Sequence, residues 1–442
     1  MNIRKYLKLP TIATAPFCPS EVQGSITIPE NASIWKKILI FMGPGLLVAV
    51  GYMDPGNWAT DIEAGSKFGY SLLSIVLFSS LAAMFLQCIT MKVGLITKRD
   101  LAQLCSDKFP KKLNNILWVL AEIAIIATDV AEVLGAALAF KLLLGVSLKT
   151  GIVLTAFDTL IVLGLKGKGF RKIEAIILGL ILTIGFCFMA ELFFVSPHWP
   201  SVMEGFIPRM QIFANHDAWY LAIGILGATV MPHNLFLHSS IIQTRKIGPS
   251  VEEKKSALRL NTLDTVGSLS LAFLVNCAIL ILAGAAFHHQ GNTSVAGIDE
   301  AYHLLDPLVG GTIAGLLFGI ALLAAGQSST FTGTISGQIV MEGFMHWKIP
   351  CWQRRVITRG LALIPAYMGV AMLGDNSTGR LLVLSQVVLS LQLPFTIFPL
   401  LLFARDKELM GEFSIRAITQ VFAWLLLIII VLANGVLLVN FF

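Results

Sequence analysis

The sequence predicts an all-α membrane protein of eleven transmembrane helices, built as two inverted five-helix repeats followed by one extra helix. Three observations lead there. Of 442 residues, 56% are hydrophobic and only 13% charged, against about 25% charged in a soluble domain. Runs of about 20 apolar residues, the length that crosses a bilayer core, recur along the whole chain. Two of these runs, the first and the sixth, are interrupted by proline at corresponding places.

In chain order the spans fall near 38–63, 71–95, 115–140, 151–165, 174–195, 219–242, 262–287, 310–341, 356–374, 381–403 and 418–441. Residues 1–37 hold Pro10, Pro16, Pro19, Pro29 and five basic residues. They lack a signal peptide's apolar core and read as a cytoplasmic tail. With that tail inside, 27 of the 32 Lys and Arg residues lie on the inner side, as the positive-inside rule requires. The weakest span is the fourth, about 15 residues with Asp158 within it. Without it the later loops change sides, leaving 13 basic residues inside and 19 outside, so the charge distribution demands it. The chain therefore divides into the tail, 1–37, and one transmembrane domain, 38–442. Repeat one covers about 38–195, repeat two about 219–403 and the extra helix about 418–441, which puts the C-terminus outside. A plasma (inner) membrane location is expected.

A net charge of +6 would suggest nucleic acid in a soluble protein, but here it is accounted for by loops on one side of a membrane. The cysteines at 18, 88, 105, 187, 277 and 351 form no CxxC pair and read as packing residues rather than a disulfide framework or zinc site. No resident cofactor and no obligatory protein partner are expected.

Span one ends in GYMDPGNWATDIEAG, residues 51–65. A charged side chain at mid-bilayer costs roughly 2.5–3.5 kcal/mol even on lenient scales, and Pro55 with Gly56 breaks the helix beside Asp54. Span six breaks at MPHN, residues 231–234. A lone proline kink is usually structural. Two breaks at equivalent places in inverted repeats, each with polar side chains, point to a substrate site at the bilayer midplane.

The donors there define a chemistry. Asp54 offers a carboxylate and Asn57 an amide oxygen. Pro232 lacks an N–H, which frees the carbonyl four residues back, that of Ala228. Met231 adds a thioether. Oxygens with one soft sulfur suit manganese, ferrous iron or cadmium, whereas calcium and magnesium gain little from sulfur. The plain alternative for Met231 is core packing.

Glu122, Asp129 and Glu132 stand 7 and 3 residues apart in span three, so they share one helix face. Acids aligned within a membrane are the expected form of a proton relay, with a structural pairing to a buried arginine as the alternative. His233 follows the second proline and could pass a proton or serve as a satisfied polar core residue. His238, five residues on, lies on another face.

At this point DPGNWATDIEAGSKFGYSLL, ATDVAEVLGAALA, GATVMPHNLFLHS and GQSSTFTGTISGQIVMEGF resemble the NRAMP family of proton-coupled divalent metal transporters, of the bacterial manganese type. The resemblance covers the chain from about residue 36 onward. It implies a LeuT-like fold with helices 1 and 6 unwound and a metal held by Asp54, Asn57, Met231 and the Ala228 carbonyl. Gln386 of helix 10 would join in some conformations, an interhelical hydrogen bond being its alternative role. It also implies a proton route from Asp54 to Asp129 and Glu132, with an arginine opening helix nine as the positive partner. Arg355 matches that arginine best and Arg354 is the runner-up. The expected activity is proton-coupled uptake of Mn²⁺, with Fe²⁺ and Cd²⁺ also carried, by alternating access. The partners implied are divalent ions, protons and the lipid bilayer.

Other classes fit less well. An amino-acid symporter of the same architecture would present small residues and helix ends to a zwitterion, where Asp54 beside Met231 favours a cation. An enzyme would need a nucleophile with its base or a closed metal motif such as HExxH, and neither occurs. A channel is the remaining alternative, although unwound inverted repeats suit alternating access.

Overall fold

The computed structural model describes residues 23–27, 33–157, 170–293, 295, 297–308, 313–347, 351–374 and 377–441. Among them, helices of eight or more residues, numbered in chain order, begin with α1 (Ile34–Phe41), α2 (Pro44–Gly51), α3 (Pro55–Phe68), α4 (Leu73–Thr97), α5 (Leu101–Lys108), α6 (Lys111–Leu144), α7 (Leu148–Thr155) and α8 (Phe170–Val195). They continue with α9 (His216–Val230), α10 (Pro232–Ile241), α11 (Val251–Ala286), α12 (Ile298–Leu308), α13 (Ile313–Met345), α14 (Cys351–Leu373), α15 (Thr378–Arg405) and α16 (Ala417–Phe441).

Eight helical segments among the described residues are long and apolar enough to cross a membrane: α4, α6, α8, the α9–α10 pair, α11, α13, α15 and α16. The apolar part of α14, Ile357–Leu373, is shorter. Two further expected spans differ from a plain helix. Span one is three pieces, and span four is described only as α7, because residues 158–169, Asp158 included, lie outside the described residues.

Local chemistry explains the pieces of span one. Gly43 has φ +152°, and a Cβ there would run into Glu174 and Arg245; no other residue fits that bend. Pro44 then starts α2 where its missing N–H costs nothing. After Gly51 the chain leaves the helix, and Asp54 caps α3 by accepting from Asn57 N at 2.8 Å with Pro55 as the first helical residue. In span six, Met231 takes φ +40° between α9 and α10, a conformation that costs a non-glycine residue roughly 1–3 kcal/mol.

The packing closes around these breaks. α11 lies along α3, α9 along α15, and α13 along α6. Trp58, fully buried, meets Phe188 and Phe318 edge-on with ring centroids 4.7 and 5.3 Å apart. Large apolar side chains such as Phe193, Met372, Ile418 and Val439 stand exposed, as a lipid-facing surface requires.

The all-α expectation needs one small amendment. Ile26–Thr27 pairs in parallel with Arg245–Lys246, where loop backbone beyond the helix ends is free to bond. The first helix begins at Ile34, capped by Ser33, a few residues before the expected start at 38. The rest of the expected tail, residues 1–22 and 28–32, lies outside the described residues. Cys88, Cys105, Cys187 and Cys277 are free thiols; Cys18 and the Cys351 side chain lie outside the described residues.

Candidate metal site

The two breaks face one another. Asp54, Asn57, Ala228 and Met231 are all buried. The Asn57 amide spans the gap between the repeats: Nδ2 donates to Asp54 Oδ1 at 2.7 Å and to the Ala228 carbonyl at 2.9 Å. That carbonyl is the one released by Pro232. The Asn57 oxygen, Oδ1, accepts from Asn276 Nδ2 at 3.3 Å, and the same Nδ2 donates to the Tyr52 carbonyl at 3.0 Å. Met231 Sδ accepts from Asn234 Nδ2 at 3.3 Å.

Gln386 of α15 reaches the same point. A Cβ on Gly56 would overlap its amide and come within 3.0 Å of Asp54 Oδ2, so only glycine admits the glutamine beside the carboxylate. Asp54 Oδ2 and Gln386 Oε1 are buried oxygens with no hydrogen-bond partner. Buried acceptors are ordinarily satisfied. Two orphaned oxygens, a helix-end carbonyl and a thioether form a donor set suited to a cation, and the Asn57 amide protons engage part of it.

The expected relay acids separate into two groups. Asp129 and Glu132 are buried and face α13, where a Cβ on Gly333 would lie 2.8 Å from Glu132 Oε1 and 3.3 Å from Asp129 Oδ1. Both Glu132 oxygens lack hydrogen bonds, and the charges that act on this carboxyl include Asp129, Arg359 and Asp54. Close packing of Pro55 on Gly135 brings this part of α6 to the first break. Glu122 is set apart from the pair, two turns or about 10 Å toward the start of α6. It is half-buried and accepts from Trp118 Nε1 at 3.0 Å.

The side chains of Arg354 and Arg355 lie outside the described residues. Arg359, one turn further along α14, is the described cation that acts on Glu132, and it donates to the Thr155 carbonyl at 3.2–3.3 Å. His233 is buried, with Nδ1 3.3 Å from Thr128 Oγ1 on α6.

Several polar contacts escaped the sequence reading. His238 Nδ1 sits 2.9 Å from Gln87 Oε1, and Gln87 Nε2 donates to the Tyr52 hydroxyl at 2.9 Å. This chain runs from α10 to the first break. Asp61 and Glu191 are buried carboxyls; Asp61 Oδ2 and both Glu191 oxygens have no partner. Their signal was present, since each is an acid within an apolar span. Asn276 gave none, because its role exists only through contacts between distant segments.

The N-terminal end of span one is held by ions. Arg245 Nη1 meets Glu174 Oε1 at 2.7 Å and its guanidinium donates to the Ile40 and Met42 carbonyls at 3.0–3.2 Å. Arg171 donates to the Leu39 and Met42 carbonyls and to Glu174 Oε2 at 2.7–2.8 Å. Asp264 of α11 accepts from Gly43 N and Gly45 N at 3.3 and 2.7 Å.

Comparison with known proteins matches this architecture. The divalent metal cation transporter MntH of Ralstonia nicotianae is 61% identical over 426 residues, covering 96% of each chain. MntH 1 of Pseudomonas aeruginosa is 61% identical over 434 residues, covering 98% of this chain and 99% of its own. The manganese transporter of Eremococcus coleocola, solved with an aromatic bis-isothiourea substituted compound, is 39% identical with a TM-score of 0.87, over 94% of this chain and 90% of that one. MhsT, at 15% identity and a TM-score of 0.59, shares the LeuT-like fold alone. Residues 45–440 match the model of the Nramp, or natural resistance-associated macrophage protein-like, family, and the chain belongs to that family.

Proposed function

We propose that the protein carries divalent transition-metal ions, Mn²⁺ foremost and Fe²⁺ and Cd²⁺ as well, into the cell together with protons. Its relatives at 61% identity are named divalent metal cation transporters, so it is a transporter and not an enzyme. The observation that carries the metal reading is the Asn57 amide bridging Asp54 and the Ala228 carbonyl, between two orphaned oxygens, at the meeting of two helix breaks. A cation in that seat takes the bonds that the amide protons now make. Asn57 then turns its side chain so that Oδ1 becomes a ligand, releasing Asn276. Met231 supplies the sulfur that favours transition metals over Ca²⁺ and Mg²⁺.

Proton coupling follows from the neighbouring acids. Metal binding at Asp54 favours its ionised form and so expels a proton. Asp129 and Glu132, adjoining on α6 and facing Arg359, are suited to receive it, with His233 and Glu122 at the margins of that route. Alternating access requires the inner end to open. The Arg245–Glu174–Arg171 cluster and Asp264 hold α1 and α2 closed there, and their release frees a path inward. The chain resides in the plasma (inner) membrane with its N-terminus cytoplasmic and its C-terminus outside, and it acts without a resident cofactor or an obligatory protein partner. The test is Mn²⁺ uptake into proteoliposomes at fixed metal with and without an inward proton gradient. Uptake that the gradient accelerates, accompanied by internal acidification, supports the proposal; gradient-independent uptake without acidification refutes the coupling.

A further inference from the structure

A second cavity lies away from the metal seat, between the last turns of α4, the first turns of α11 and the start of α16. Its volume is about 790 Å³. Its walls are largely apolar, with Phe85, Ile89, Leu258, Leu263 and Ile415, and three cations line it: Lys92, Arg259 and Arg416. No carboxylate lines it. Glu252 and Glu412, acids close in sequence to this region, are each 3.8 Å from Lys255 instead. Among the described residues none of the three cations forms an ion pair, and Lys92 and Arg416 face each other as like charges. Without an anion this grouping is repulsive. All three sit at the end of the bundle that the positive-inside rule assigns to the cytoplasm.

Charge and shape together select the occupant. An unpaired cluster of cations at the membrane surface, opening onto an apolar cleft between helices, complements a phosphate head group with acyl chains attached. We propose that this cavity binds one anionic phospholipid of the cytoplasmic leaflet, with the phosphate between Lys92, Arg259 and Arg416 and a chain lying along Phe85, Ile89 and Leu263. The inference rests on the membrane orientation and is independent of the metal chemistry.

The test is native mass spectrometry of the full chain taken from bilayers of equal phosphatidylglycerol and phosphatidylcholine with matched acyl chains. The parent should retain phosphatidylglycerol in preference. The Lys92→Gln, Arg259→Gln, Arg416→Gln triple variant should lose that preference by about 5-fold for each cation removed. The single variants Arg259→Gln and Arg416→Gln, both at exposed positions, carry the test should the triple variant fold poorly. Lys246→Gln with Lys254→Gln, on the same side but outside the cavity, should leave the preference unchanged, and so should added inorganic phosphate. An unchanged ratio in the cavity variants would overturn the proposal. So would an equal fall in the control pair, or displacement of the lipid by inorganic phosphate, which would mark a simple anion site.

Discussion

Replacing Met231 by Leu isolates the sulfur. The side chain is fully buried, and a near volume-conserving exchange of this kind usually costs less than about 1.5 kcal/mol of stability. Losing the Asn234 Nδ2 bond to Sδ, 3.3 Å, leaves one buried donor unmade and adds about 1 kcal/mol, so the variant should still fold. Asp54, Asn57, the Ala228 carbonyl and Gln386 remain, all hard oxygen donors that serve Ca²⁺ and Mg²⁺ as readily as Mn²⁺. Water can fill the vacated position. Affinity for Mn²⁺ should therefore drop roughly 10-fold, or ~1.4 kcal/mol, and that for the softer Cd²⁺ by more. Selectivity is a difference of affinities, so Ca²⁺ and Mg²⁺ should begin to compete. The assay is Mn²⁺ uptake by parent and variant at fixed pH with millimolar Ca²⁺ or Mg²⁺ outside. Equal inhibition of the two proteins would refute the reasoning and leave Met231 a packing residue.

Asp129→Asn should impair proton movement more than metal binding; equal losses, measured by a pH dye and by calorimetry, would make Asp129 a structural residue or a ligand. Arg245→Met leaves Glu174 Oε1 and the Ile40 carbonyl without their main donor, while Arg171 stays on Glu174 Oε2 and the Met42 carbonyl, a loss on the order of 1–3 kcal/mol, and should loosen this end, read as faster hydrogen exchange in α1. Unchanged exchange would remove the cluster from the gating account. Asp100, the cap of α5 in the loop between α4 and α6, has its carboxyl pushed up to about 7, by burial first and by Glu342 nearby. The folded protein thus binds this proton more tightly than the unfolded chain, and stability should fall as pH rises from about 4 through 7, by at most ~4 kcal/mol. Asp100→Asn keeps the cap and should flatten that part of the dependence, checked by melting temperature at pH 5 and pH 8; identical profiles would count against it.

The sequence carried the two breaks plainly, because proline and glycine beside Asp54 and Met231 violate both hydropathy and helix chemistry at once. Span four was harder to read, being short and bearing Asp158. The three-piece form of span one was only half legible: the DPGN break stands out, but the bend at Gly43 depends on Glu174 and Arg245, far away in the chain. Arg354 and Arg355 carry side chains outside the described residues, and Arg359 was passed over for a related reason. Arg354, Arg355 and Arg359 are equally basic on paper, and only the packing of α14 against α6 and α7 brings Arg359 to Glu132 and Thr155. Asn276, Gln87 and the Tyr52 hydroxyl owe their roles to contacts across repeats, which periodicity does not encode.

The central claim is that the meeting of the two breaks is the seat of the transported metal, with Asp54 its anionic ligand. Mn²⁺ uptake into proteoliposomes by Asp54→Ala, beside the parent at matched protein density, tests it most directly, with an unchanged melting temperature as the sign of folding. No other side chain at the break supplies a carboxylate, so uptake should fall to background. Retention of more than about a tenth of parental uptake, a barrier change under ~1.4 kcal/mol, would contradict the claim and move the metal elsewhere.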